Sequence, residues 1–297
     1  MTPNETFLML RAGLSRLDHE VTTFLQRQGT EPEAGSQAAS ERTNYSRSDS
    51  LYTVAAIGTM LLESVGEHVT VLARAMTEPI TPFACLTCVR SMLESASIAA
   101  WLFDPKVDAQ KRVGRAFAHR YEGLEEQVKF GRAANIPPDE LKKAEDRVDK
   151  VDQDAVALGL PIIRDRNGKR IGIAERMPSA TDIIKLVLDE ECAYRLLSAV
   201  AHGHTWAMQQ LGFTQAAVQP SQPSDGARTV AMEKSAGSSQ MHAFSVVRAA
   251  KALAVPVWNQ CLYFGWDKDR LAIVLESVYD QMSIQPALRF WRRKEDK

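Results

Sequence analysis

In the stretch Glu191-Cys-Ala-Tyr-Arg-Leu-Leu-Ser-Ala-Val-Ala-His-Gly-His204, chemically useful side chains collect near the end of one predicted helix. Seven residues turn an α-helix by about 700°, so Arg195 and His202 lie within about 20° of one another but about 10.5 Å apart along the axis. They share a face without touching, with Tyr194 and Ser198 beside them on that face and His204 just beyond. Arginine can hold two phosphate oxygens at once, and histidine moves protons near neutral pH. That pairing suits phosphodiester cleavage: a ribose 2′-hydroxyl attacks the adjacent phosphorus, His202 carries the proton, and Arg195 stabilises charge on the pentavalent oxygens. The scheme calls for no metal and no cofactor. A plainer reading uses ordinary helix chemistry, with Arg195 paired to Glu191 one turn earlier and His202 at a helix C-terminus, where cationic side chains are favoured.

Arg90 and Glu94 form a second constellation, one turn apart inside the most apolar helix of the chain. Charges in such a place must be paired, so they are expected to bridge each other and fix how the helix seats. The alternative is that Glu94 orients Arg195 or His202 while Arg90 adds positive charge to an anion pocket. Cys85 and Cys88 are spaced as a C-x2-C pair, but a structural zinc site needs four ligands and no second pair follows at ribbon spacing. They are expected to be small core residues. His68 and His119 fall on amphipathic helices, with His19 and His242 near helix ends or loops. No glycine-rich phosphate loop, Gly-x-Ser-x-Gly elbow or His-Glu-x-x-His motif is present, which excludes the commonest nucleotide, hydrolase and zinc-protease readings.

At Arg195 and His202 the chain resembles the HEPN superfamily, helical proteins whose signature is arginine, four to six residues, then histidine near a helix end. The resemblance implies a helical bundle that pairs two such faces across a homodimer, with His202 as general acid/base and Arg195 as the transition-state clamp of a metal-independent endoribonuclease. Some relatives are non-catalytic. Many active members carry Asn, Asp or His directly after the arginine, where this chain has Leu196. Arg90-x3-Glu94 on an apolar helix, combined with Ser198-x3-His202-Gly203, is also similar to a group of bacterial helical proteins related to HEPN, which implies that these two helices meet. The matching region is the Arg195 helix and whatever packs on it.

Helical periodicity supplies the elements that must position these groups. A first helix spans residues 4–28, with Phe7, Leu10, Leu14, Leu17, Val21 and Phe24 at three- and four-residue steps. Residues 29–49 turn polar and glycine- and serine-rich and read as a flexible linker. A bundle domain over 50–282 then contains helices at about 50–76, 82–104, 106–134 and 139–158. The last of these is highly charged and reads as a solvated arm or hairpin. Asn167-Gly168 between apolar pairs predicts a β-hairpin, so 137–177 form a charged helix-and-hairpin insertion. Ser179 and Asp182 resemble a capping box opening the helix before that of Arg195. Residues 212–240 read as a polar loop, 241–264 and 268–282 as closing helices, and 283–297 as a basic tail carrying Trp291. The whole is an all-α bundle of about eight helices with a small β-hairpin insertion.

The 297 residues carry 36 Lys and Arg against 37 Asp and Glu, so no overall basic footprint marks a nucleic-acid partner. Four cysteines without a disulfide framework suit a reducing cytoplasm, and the N-terminus lacks a secretory pattern. Residues 83–103 are long enough to span a bilayer, but Arg90 and Glu94 would each cost about 2.5–3.5 kcal/mol there, which predicts a buried core helix and no membrane partner. Three functions remain open at this point: an RNA-directed endoribonuclease, a non-catalytic interaction module meeting a protein partner or a second copy, and a small-anion or nucleotide sensor using Arg90 and Arg195.

Overall fold

The computed structural model describes residues 3–45, 49–77, 81–215, 232–234 and 239–283. Among them the chain is all-α apart from two small antiparallel strand pairs. The helices in chain order are α1 (Pro3–Gln28), α2 (Gln37–Asn44), α3 (Asp49–Ala75), α4 (Pro82–Leu102), α5 (Ala109–Ala133), α6 (Pro138–Ala157), α7 (Ala180–Leu188), α8 (Glu191–Ala201), α9 (Thr205–Gly212), α10 (Ser239–Phe264) and α11 (Lys268–Gln281). The strands are β1 (Ile162–Arg164) with β2 (Arg170–Ile173), and β3 (Phe213–Gln215) with β4 (Met232–Lys234).

α4 lies at the centre because it is apolar nearly all round. Leu86, Val89, Met92, Leu93, Ala96 and Ala99 are sealed by α3 and α10 on two sides and by α7 and α8 on another. It is long and apolar enough to cross a membrane by length and composition, but here its faces are taken by other helices, as expected for a core helix. α1 adds its Leu10, Leu14, Leu17 and Val21 stripe against α3, α10 and α11. α5 reaches the core through Val113, Ala116 and Phe117, and α6 folds back on α5 by burying Ala144, Val148, Val151 and Ala155. The charged helix is thus a docked hairpin arm, because a four-residue apolar stripe suffices to seat it.

The turn at Asn167-Gly168 closes the β1–β2 hairpin as expected, with Ile162 opposite Ile173. Asp165 Oδ1 accepts the N–H groups of Asn167 and Lys169 inside it. Ser179 caps α7 by accepting the Asp182 N–H at 3.2 Å, while its hydroxyl donates to the Asp182 carboxylate at 2.6 Å.

Two expectations need correction. The stretch read as a flexible linker contains α2, and its contacts are specific. Ser36 caps the helix, the Glu33 N–H donates to the Phe264 carbonyl at 2.9 Å, and Trp266 Nε1 donates to the Glu31 carbonyl at 3.2 Å. Gly265 (φ +74°) makes room for this, since a Cβ there would lie 2.7 Å from that of Ser36. Glu41 carries the deepest anchor: it accepts from Gln37 Nε2, Arg112 Nε and the Tyr263 hydroxyl at 2.8, 3.2 and 2.9 Å. Arg112 is fully buried and also donates to the carbonyls of Leu102 and Val107. The second correction concerns residues 212–240, which include two paired strands: Phe213 pairs with Lys234 and Gln215 with Met232. Residues 216–231 and 235–238, and the basic tail from 284 onward, lie outside the described residues.

Candidate functional site at the corner of α8 and α9

α8 is amphipathic, and its own sequence decides which way each candidate points. Ala193, Tyr194, Leu197, Ala199 and Val200 are buried, so residues 100° away from that stripe face solvent. Tyr194 is 6% exposed, whereas the Arg195 side chain is 66% exposed and His202 is exposed as well. The single face expected for Tyr194, Arg195, Ser198 and His202 is therefore divided: Tyr194 turns into the α4 seam, Ser198 is half-buried, and Arg195 and His202 look outward.

Inside the seam, Arg90, Glu94 and Tyr194 meet. The Tyr194 hydroxyl donates to Glu94 Oε1 at 2.7 Å, and an Arg90 nitrogen sits 2.8 Å from the same oxygen. The Arg90 guanidinium also lies 5.8 Å from the Tyr194 ring centre. Burial, then the neighbouring Glu94 carboxylate, hold the Tyr194 phenol above its ordinary pKa of 10.0, with Arg90 opposing. The phenol is thus a fixed donor at neutral pH. The expected Arg90–Glu94 bridge is present and the two helices meet, but Glu94 grips Tyr194 rather than Arg195 or His202, because the carboxylate takes the donor on the buried stripe.

Arg195 makes two hydrogen bonds to Glu191 Oε1, at 3.0 and 2.9 Å, one turn back on the same helix. Lys185 of α7 approaches Glu191 Oε2 at 2.9 Å. These two cations, led by Lys185, hold the Glu191 carboxyl below its ordinary value. A second acidic neighbour, Glu190, ties the start of α8 to α10 by pairing with Arg248 at 3.4 Å and Lys251 at 2.9 Å. Both are signals that spacing along α8 could not supply, since Lys185, Arg248 and Lys251 come from other helices.

A Schellman motif ends α8. The Gly203 N–H donates to the Val200 carbonyl at 3.0 Å and the His204 N–H to the Ala199 carbonyl at 2.9 Å, with Gly203 at φ +71°. The His204 carbonyl then accepts from Ala207 and Met208 and so opens α9 without a spacer. Residues 201–206 are all exposed along this corner, including Trp206 at 55%. The rings of His202 and His204 lie 6.4 Å apart. The corner thus offers two imidazoles and an indole to solvent, with the Arg195 guanidinium exposed about two turns back along α8.

No family model, no curated protein and no solved structure matches the chain. Of the cysteines, Cys85 is buried and its thiol is pushed up to about 11 by burial and then by Cys88, whose own thiol is raised by burial; both belong to the core helix α4. Among the described residues no three His, Cys, Asp or Glu side chains gather as metal ligands. His242 is buried against the Phe7 ring at 4.6 Å, and burial lowers the pKa of His119.

Proposed function

We propose that the chain is an RNA-directed protein whose α8–α9 corner is half of a metal-independent endoribonuclease site, completed by the same corner of a second copy. His202 is the general acid/base and Arg195 the phosphate clamp, with His204 beside them. Arg90, Glu94, Tyr194 and Ser198 support the site by seating α8. The observation that carries this reading is the division of α8. The seam residues are consumed in holding the helix, while Arg195 mid-helix and His202 and His204 at its capped end remain outward-facing. About 10.5 Å of axial rise separates Arg195 from His202, so one chain does not bring them together on one phosphate, whereas a two-fold pairing can set the arginine of one copy beside the histidine of the other.

The test is RNA cleavage in EDTA by the full chain beside His202→Ala and Arg195→Ala. Loss of a general acid/base is expected to slow cleavage by about 100-fold or more. Equal activity in the three proteins overturns the assignment.

A second reading, a non-catalytic docking module, is favoured by one specific contact. Glu191 already occupies the Arg195 guanidinium and leaves it a neutralised surface group. An exposed Trp206 at the start of α9 is the kind of residue that anchors protein interfaces. This reading predicts a dimer that Trp206→Ala dissociates and no cleavage of RNA by any variant.

A further inference from the structure

We propose that the cavity walled by α1, α3 and α10 is a binding site for a small organic cation with an apolar body. Its volume is about 1020 Å³, at the upper end of small-molecule sites, which run from about 300 to 1,000 Å³. Leu25, Leu62, Leu253 and Phe264 supply apolar wall, and the exposed residues Ala56, Thr59, Glu63 and Glu67 of α3 mark its open side. It shares no element with the α8–α9 corner and does not rest on the function proposed there.

Charge selects the sign of the ligand. Asp18, Glu31, Glu63 and Glu67 line the cavity against one cation, Arg42. That guanidinium is already engaged: it lies 2.5 Å from Glu31, 4.4 Å from the centre of the Tyr52 ring and 5.7 Å from that of Phe264. An incoming carboxylate or phosphate would have to displace Glu31 and then face three further acids. A cation meets the opposite field. Asp18 spends Oδ2 on the Thr70 hydroxyl at 2.9 Å, which leaves Oδ1 for a ligand.

Gln260 supplies the second requirement. It lines the cavity from α10, is 5% exposed, and its Oε1 has no hydrogen-bond partner. A buried acceptor without a donor is unfavourable, and buried amides are nearly always satisfied. Binding requires the carboxamide to turn this enclosed oxygen toward the cavity that Gln260 lines, where the N–H of an amine completes it. An ammonium held by the acids, an N–H on Gln260 and a flat or aliphatic body against Phe264 and the leucines together describe an aryl or alkyl amine.

The experiment is calorimetric titration of the full chain with three indoles that differ in charge, namely tryptamine, its neutral alcohol analogue tryptophol and indole-3-acetate, and with decylamine below its micellar concentration. At least one amine is expected to bind, tenfold or more tighter than tryptophol, with indole-3-acetate weakest. Asp18→Asn should remove most of the preference for the amine over tryptophol. Ala56→Trp, on the exposed rim, should weaken all four by filling the entrance. Should Asp18→Asn fail to fold, Glu67→Gln on the exposed face of α3 takes its place, with a smaller loss in the same direction. Binding of neither amine to the unmodified protein, equal binding of the acid and the amines, or amine binding unchanged by Ala56→Trp overturns the proposal.

Discussion

At the scale of single residues, neighbours on one helix have opposite fates. Tyr194 and Arg195 are adjacent in sequence, yet the tyrosine is an internal donor to Glu94 and the arginine a surface cation on Glu191. Their substitutions should therefore separate stability from function. Tyr194→Phe removes a partly buried hydrogen bond to a carboxylate and should lower unfolding stability by about 1–2 kcal/mol in a urea titration. Arg195→Ala and His202→Ala should leave the thermal midpoint within the scatter of the measurement while altering whatever the corner contacts. If Arg195→Ala destabilises as much as Tyr194→Phe, the guanidinium is structural and the division of α8 is wrong. Arg90 and Glu94 were recognisable from sequence as a pair because charges four apart on an apolar helix have few other solutions. Their third partner was not, because Tyr194 stands 100 residues from Glu94.

At the scale of elements, one cap and one buried anchor decide how the pieces sit. Gly203 ends α8 in the left-handed region with no atom near its missing Cβ, so Gly203→Ala tests backbone strain alone and should cost about 1 kcal/mol. The Glu41 anchor is a larger matter. Glu41→Ala leaves the fully buried Arg112 without its carboxylate and should destabilise by about 3 kcal/mol or more, read from the urea midpoint. Glu41→Gln, which keeps the shape and one acceptor, should cost less. Amide hydrogen exchange offers an independent check. Residues 39–44 should exchange as slowly as a packed helix rather than at the rate of an open chain, and rapid exchange there would restore the flexible-linker reading. Composition misled at this point. The polarity of residues 29–49 is real, but it is spent on Glu41, Gln37 and Ser36, whose partners Tyr263, Val107 and Ala39 make an ordered segment out of a hydrophilic one.

At the scale of the whole molecule, burial in one shared core sets a pH limit. The Cys85 and Cys261 thiols are pushed up to about 11 and about 12, chiefly by burial, from an ordinary 9.0. Burial also raises the phenols of Tyr263 and Tyr279. A folded-state pKa above the unfolded value means that the folded chain holds its proton more tightly. That contribution is fully present below pH 9 and is lost as pH rises from 9 through about 12. Urea midpoints should therefore fall steeply between pH 9 and pH 11. Cys192, which is exposed, should be alkylated in the folded protein while Cys85 and Cys261 react only on unfolding. A flat profile over that range, or early labelling of Cys261, would mean that the core is open.

Contacts between near neighbours are legible in the sequence. The helical stripes of α1, α3, α4, α5, α10 and α11, the Asn167-Gly168 turn, the Ser179 cap and the Arg90–Glu94 and Arg195–Glu191 pairs all lie within a few residues of their causes. Tertiary packing sets everything that needs a partner from elsewhere in the chain. It put Tyr194 on Glu94, moved Arg195 away from both, turned polar residues 37–44 into an anchored helix, and left Gln260 unpaired beside a cavity. Periodicity states which stripe of a helix is buried, but the identity of the surface opposite that stripe is set by packing among segments tens to hundreds of residues apart, and no local spacing encodes it.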